Sequence, residues 1–124
     1  MPGYTTLAGL QAGDLSAQIG TYRRGLAAMP DSQELVLLLG TAYEKNDQVE
    51  EAIAAYEDAL KVKPDSPAVA NNLASLLADY RNDADSFRRA LGLAEQFSSS
   101  ENPAFLDTLG WVYYRLEDYE NALP

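Results

Sequence analysis

Cysteine and histidine are absent from the 124 residues. Their absence excludes disulfides, thiol nucleophiles, the usual zinc sites and histidine-based catalytic triads. Basic residues are scarce: nine Lys and Arg stand against nineteen Asp and Glu, a formal charge of −10 at pH 7. Nucleic acid and anionic membrane surfaces both require basic patches, so neither is an expected partner. A basic partner is permitted. No apolar run approaches the roughly 18 residues of a membrane span. The first ten residues, MPGYTTLAGL, lack the basic region and apolar core of a signal peptide. Cytoplasm and periplasm are equally compatible with this composition. The eight glycines are scattered rather than gathered into a phosphate-binding loop. What is present is an ordinary apolar content, 47%, in a chain long enough for one modest domain.

The rest of the chain is organised around residues 33–66, QELVLLLGTAYEKNDQVEEAIAAYEDALKVKPDS. Its apolar spacing predicts two short amphipathic helices joined by a turn. Small residues (Gly40, Ala52, Ala59) sit where the helices must approach closely, and Leu39, Tyr43 and Tyr56 fill the space around them. Part of this pattern returns 70 positions later: Leu39, Gly40, Tyr43 and Ala52 map to Leu109, Gly110, Tyr113 and Ala122. That interval is two units of about 34 residues plus a small insertion, the mark of a helical repeat array. Arrays of this kind act through a surface.

Residues 33–66 resemble a tetratricopeptide repeat. Counting Gln33 as the first repeat position, Leu39, Gly40, Tyr43, Ala52, Tyr56, Ala59 and Pro64 all suit the family's sparse motif. Val36 stands where the family often has Trp, and Asp47 where it usually has a turn glycine. The resemblance implies an all-α fold, a right-handed α-solenoid of antiparallel helix pairs.

In chain order, residues 1–12 hold either a worn first helix or a leading remnant with a short cap. Gly13-Asp14 reads as a turn, with Asp14 capping a helix over residues 16–29 that carries Ile19, Tyr22 and Leu26 on one face. The first repeat, about 1–32, is partly degenerate. Asp31 and Glu34 have capping-box spacing, and the Asp47-Gln-Val-Glu50 stretch repeats the device. Ser66 and Pro67 suit a helix start. In the third repeat, 67–102, Leu73, Ala74 and Leu77 keep the first helix. Ala90 arrives four positions late, so a longer inner turn is expected at residues 80–85. Ala94 and Phe97 exchange small for large and large for small on one face of the second helix, which can conserve core volume. Asn102 and Pro103 open the fourth repeat, 103–124. There Leu106, Leu109, Gly110 and Tyr113 are expected to pack, and Asp118 to cap a second helix that stops almost as it starts. The apolar face left uncovered predicts self-association, a homodimer or domain swap through the C-terminal helix.

No catalytic constellation is found, and no metal or cofactor is expected. Asp79, Asn82, Asp83 and Asp85 cluster as a calcium loop might, but the fixed glycine and terminal glutamate of such loops are missing. A helix-capping acidic turn explains them better, and helix N-terminal charge preference explains Glu50 and Glu51.

In tetratricopeptide arrays the first helix of each pair lines a concave groove. Carried over by position, the resemblance makes Glu34, Leu37, Thr41, Glu44 and Lys45 groove residues of the second repeat. Ala68, Asn71, Ser75, Ala78 and Asp79 follow in the third, and Asp107, Trp111, Tyr114 and Arg115 in the fourth. One subgroup clamps chaperone C-terminal carboxylates with groove lysines, an arginine and asparagines; only Asn71 matches here, so that ligand is not expected. Asn71 can bond both ways to a peptide backbone, and Trp111 with Tyr114 can anchor one. The competing account is an ordinary solvated face for Glu34 and Glu44, and packing against further helix for Trp111 and Tyr114. The expected function is a non-catalytic protein–protein interaction scaffold, part of a larger bacterial protein, that binds a basic or apolar segment. The alternatives are a structural self-assembly module and a regulatory appendage of an enzyme or of envelope or polysaccharide-export machinery.

Overall fold

The computed structural model describes residues 7–122, with side chains described for 14–117 and Tyr119. Six helices follow one another, and no strand occurs among the described residues: α1 (Leu7–Ala28), α2 (Gln33–Lys45), α3 (Val49–Val62), α4 (Pro67–Tyr80), α5 (Ala84–Glu95) and α6 (Pro103–Ala122). The all-α class expected from the sequence is the one observed. The chain divides into two compact units between Pro64 and Asp65, at the proline-flanked join.

In the first unit α2 packs on both α1 and α3. Ser32 caps α2, its Oγ accepting from the Leu35 amide at 3.2 Å, one residue later than the Asp31 start read from the sequence. Serine supplies the shorter reach to the third helical amide. Glu34 in the first turn and Lys45 in the last suit the helix dipole, as do Glu50 and Lys61 on α3. The turn between α2 and α3 also differs from expectation. Gln48, not Asp47, is the N-cap of α3, without a side-chain cap bond. Asp47 instead takes the left-handed conformation, φ 59°. The Gln48 amide donates to the Tyr43 carbonyl at 2.8 Å and the Asp47 amide to Glu44 at 3.1 Å, the two bonds of a Schellman motif. That explains why the family favours glycine here, and why a short polar side chain is an acceptable substitute.

The core of this unit is Val36, Leu39, Ala42 and Tyr43 from α2 against Ala52, Ile53 and Tyr56 from α3, with Ile19 from α1. Gly40 lies directly under the buried Tyr56 ring, in the space its own Cβ would need. The Gly13-Asp14 turn does not form, because α1 runs through it; a lone glycine costs a helix about 1 kcal/mol and does not by itself end it. The reading of residues 1–6 lies outside the described residues.

In the second unit α4, α5 and α6 each pack on the other two. Pro67 occupies the first turn of α4, and Ser66 is its N-cap residue but makes no side-chain cap bond. The connection to α5 is three residues, Arg81 to Asp83, the same as that between α2 and α3. The longer inner turn is therefore absent. What differs is the packing of α5: Phe87, Ala90 and Ala94 are fully buried, so a large residue sits where α3 presents Ala52, the fourth position of each helix. Phe97 is buried too, but it follows the end of α5 in a turn and packs on Phe105 at 4.7 Å between centroids. Asp83 caps α5, accepting from the Ser86 amide at 2.8 Å and its hydroxyl at 2.9 Å. These bonds hold its carboxyl below the ordinary aspartate value.

Asn102 caps α6 through the Ala104 amide at 3.0 Å, as expected. The helix then passes unbroken through residues 116–119, where a turn was expected; the side chain of Asp118 lies outside the described residues. Glu117, the counterpart of Asp47, has a longer side chain less suited to the left-handed conformation. No proline or glycine intervenes either. The packing face of α6 is also rotated from expectation: Leu109 and Val112 are buried, whereas Leu106 (41% exposed), Tyr113 (50%) and Gly110 face outward.

The two equivalent glycines give opposite predictions. Gly40→Ala forces its methyl into the Tyr56 ring and should destabilise the protein by about 2 kcal/mol, an overpacking cost that exceeds the gain in helix propensity. A methyl at Gly110 meets no atom within 4 Å, so Gly110→Ala should stabilise by up to about 1 kcal/mol. Urea unfolding of both variants checks this. At the α5 cap, Asp83→Ala should lower the melting temperature at pH 7. Because a depressed carboxylate pKa contributes stability above the unfolded value and loses it as pH falls, the gap between variant and wild type should close below the ordinary aspartate range. Thermal melts from pH 7 to pH 2.5 measure it.

Candidate partner-binding faces

The candidate groove residues fall on two sets of helix faces. In the first unit, Glu34, Leu37, Thr41 and Glu44 recur at three- and four-residue intervals on one side of α2. Glu34 and Thr41 are exposed, Leu37 and Glu44 half-buried. In the second unit, Asn71, Ser75 and Asp79 lie one turn apart on α4, and Asp107, Trp111 and Tyr114 share a face of α6. Asn71 and Ser75 are half-buried, and Asp79 and Asp107 exposed. Ala78, carried over with this set, is fully buried and belongs to the core.

Three of these candidates meet. The Trp111 indole Nε1–H donates to Asp79 Oδ1 at 2.7 Å. Trp111 and Tyr114 stack, with centroids 5.6 Å apart and planes at 14°. Both rings keep an open surface, 40% and 61% exposed. The neighbouring Arg115 holds the arrangement in place. Its Nε donates to the Ala78 carbonyl at 2.9 Å and its Nη2 to the Arg81 carbonyl at 3.2 Å, closing the C-terminal end of α4 with a positive charge. Its guanidinium also lies 5.2 Å from the Phe87 ring centroid and 6.0 Å from that of Trp111. Arg115, read from the sequence as a groove residue, is thus a structural clamp that sets the aromatic ledge. On the same α4 face, the Asn71 Oδ1 is buried and makes no hydrogen bond. The acidic turn is likewise explained by local bonding: Asp79 serves Trp111, Asp83 caps α5, and Asp85 pairs with Arg88 at 3.5 Å.

The first unit also contains a groove not anticipated from the sequence. An open cleft of about 410 Å³ lies over α2 between α1 and α3. Val36, Leu39 and Tyr43 form its floor, Leu26 and Pro30 one wall, and Ala55 and Ala59 the other. The available signal was the set of small residues on α3, Ala54, Ala55 and Ala59.

A family model for the tetratricopeptide repeat matches residues 10–80, from within α1 to the end of α4. The chain belongs to the tetratricopeptide repeat family. No curated protein matches it. Repeats of this family are typically non-catalytic modules that bind proteins or peptides. Among the described residues no helix is long and apolar enough to cross a membrane.

Helix α6 should depend on its clamp. Arg115→Ala leaves the Ala78 and Arg81 carbonyls without their charged donor and should cost about 2 kcal/mol in urea unfolding. Arg115→Lys should recover only part of this, since an ammonium lacks the guanidinium fork. Both variants should shift the emission of Trp111, the sole tryptophan.

Proposed function

We propose that this chain is a non-catalytic scaffold whose α4 and α6 faces bind a basic or apolar segment of a partner protein. The observation that carries the reading is the aromatic ledge: Trp111 and Tyr114 are exposed, yet Trp111 is held by Asp79 and Arg115 and Tyr114 stacks on it. An aromatic pair immobilised before binding loses little side-chain freedom on contact, so more of its burial appears as affinity. Asn71 and Ser75 are half-buried on the same α4 face as Asp79, and the exposed Asp79 and Asp107 favour a cationic segment. The row Glu34, Leu37, Thr41 and Glu44 belongs to the same reading. So does the division into repeats at residues 33–66 and 67–102. Its setting within a larger bacterial protein is part of the proposal.

Self-assembly through α6 is the second reading. The exposed Leu106 and Tyr113, with Gly110 between them, favour it: a bare helix face of this kind admits another helix at short range. The two are separated by one comparison. Affinity capture from the source cell's lysate, read by mass spectrometry, is run with wild type, with Asn71→Arg plus Ser75→Arg, and with Tyr114→Ala. Circular dichroism confirms the fold of each. A protein held by wild type and lost by both variants is the expected result. Capture unchanged by the variants refutes the ledge as the binding face, and recovery of this chain alone favours self-assembly.

A further inference from the structure

The cleft over α2 has its own chemistry. Counted round the helix, Val36, Leu39 and Tyr43 lie on the opposite side of α2 from Glu34, Leu37, Thr41 and Glu44. The floor is made of core side chains, so the cleft reaches the interior of the unit. It stays open because α1 and α3 each pack on α2 but, among the described residues, not on each other. Ala55 and Ala59, both half-buried, supply no bulk to close it.

The two walls carry opposite charges. Arg23 stands on the α1 side, and Glu51 and Asp58 on the α3 side, all three exposed; Asp58 shares its charge with Lys61 at 3.8 Å, in a pair too solvated to bind it firmly. Glu51 and Asp58 are seven residues apart, about two helical turns or 10 Å along α3. We propose that this cleft is a second docking site, and that its occupant is an amphipathic helix of a partner protein. That helix carries one apolar stripe, basic residues on the flank facing α3 and acidic residues on the flank facing α1.

The choice of a helix follows from the walls. Both are helices whose backbone groups are already bonded internally, so they offer no edge to an extended peptide. A helical ligand satisfies its own backbone and asks only for side-chain complementarity. The volume suits a few apolar side chains rather than a whole helix, so the ligand lies across the mouth with its stripe inserted. Apolar burial supplies the affinity. The exposed charges set orientation and reject reversed ligands, since such pairs add little energy by themselves.

A phage-displayed library of helical peptides about 14 residues long, randomised on the stripe and both flanks, is selected against the whole chain. The expected winners have Leu, Ile or Phe at one-turn spacing, Lys or Arg on one flank and Asp or Glu on the other. Their synthetic forms should bind at least about tenfold more weakly to Ala55→Trp, which fills the cleft. The double variant Glu51→Lys plus Asp58→Lys should prefer peptides with the acidic and basic flanks exchanged. These two positions are exposed, so this variant decides the matter even where Ala55→Trp proves unstable by circular dichroism. No enrichment above background overturns the proposal. So do winners without charge asymmetry, peptides indifferent to the charge reversal, or binding lost on Asn71→Arg plus Ser75→Arg.

Discussion

The contact between Gly40 and Tyr56 is the constraint on which the first unit depends. A tyrosine ring occupies the place of a missing methyl, so α2 and α3 approach more closely than any side chain at residue 40 would allow. Once that distance is set, Leu39 and Tyr43 are carried inward beside Ala52 and Ile53. The turn that follows is closed by the left-handed backbone of Asp47, which completes the two Schellman bonds to the end of α2. The openness of the cleft is a further result. α2 is held tightly to α3 by its glycine, while α1 packs on α2 from another side.

The second unit reaches an equally dense pairing by other means. Ala74 of α4 and Ala90 and Ala94 of α5 are completely buried, and so is Phe87, at the helix position that Ala52 holds in α3. The closing element is charged. Arg115 reaches from α6 to the last carbonyls of α4 and lies against Phe87 on the way. A single side chain therefore terminates one helix, packs on a second and positions the aromatic ledge on a third.

The helix pairs of residues 33–62 and 67–95 are legible because large and small residues recur at fixed intervals, whereas the turns expected at Gly13-Asp14 and near Asp118 are absent. Local details were less legible. The start at Ser32 rather than Asp31, and the use of Asp47 as a left-handed residue rather than a cap, depend on backbone angles that composition does not encode. The packing face of α6 was misjudged for a specific reason. Leu106, Gly110 and Tyr113 carry the repeat pattern, but with α6 continuous through residue 117 they face outward, and Val112 takes the buried place. Asp79, Trp111 and Tyr114 were legible as face residues through family position, yet their mutual bonding was not. Arg115 could not be recognised as a clamp, because its acceptors are carbonyls, which every sequence has. The cleft was missed because repeat positions describe neighbouring pairs, and it lies between two helices that do not pair.

The connectivity of packing gives the two units different cooperativity. Within the first unit, and among the described residues, α1 and α3 each pack on α2 and not on each other, so α1 can detach by breaking one interface while the α2–α3 pair persists. In the second, α4, α5 and α6 form a closed triangle, and Arg115 bridges residues 34 and 37 positions apart in the chain. No helix leaves that triangle without disrupting two interfaces at once. The first unit is thus built to open in steps from its α1 side, and the second to hold or yield as one block.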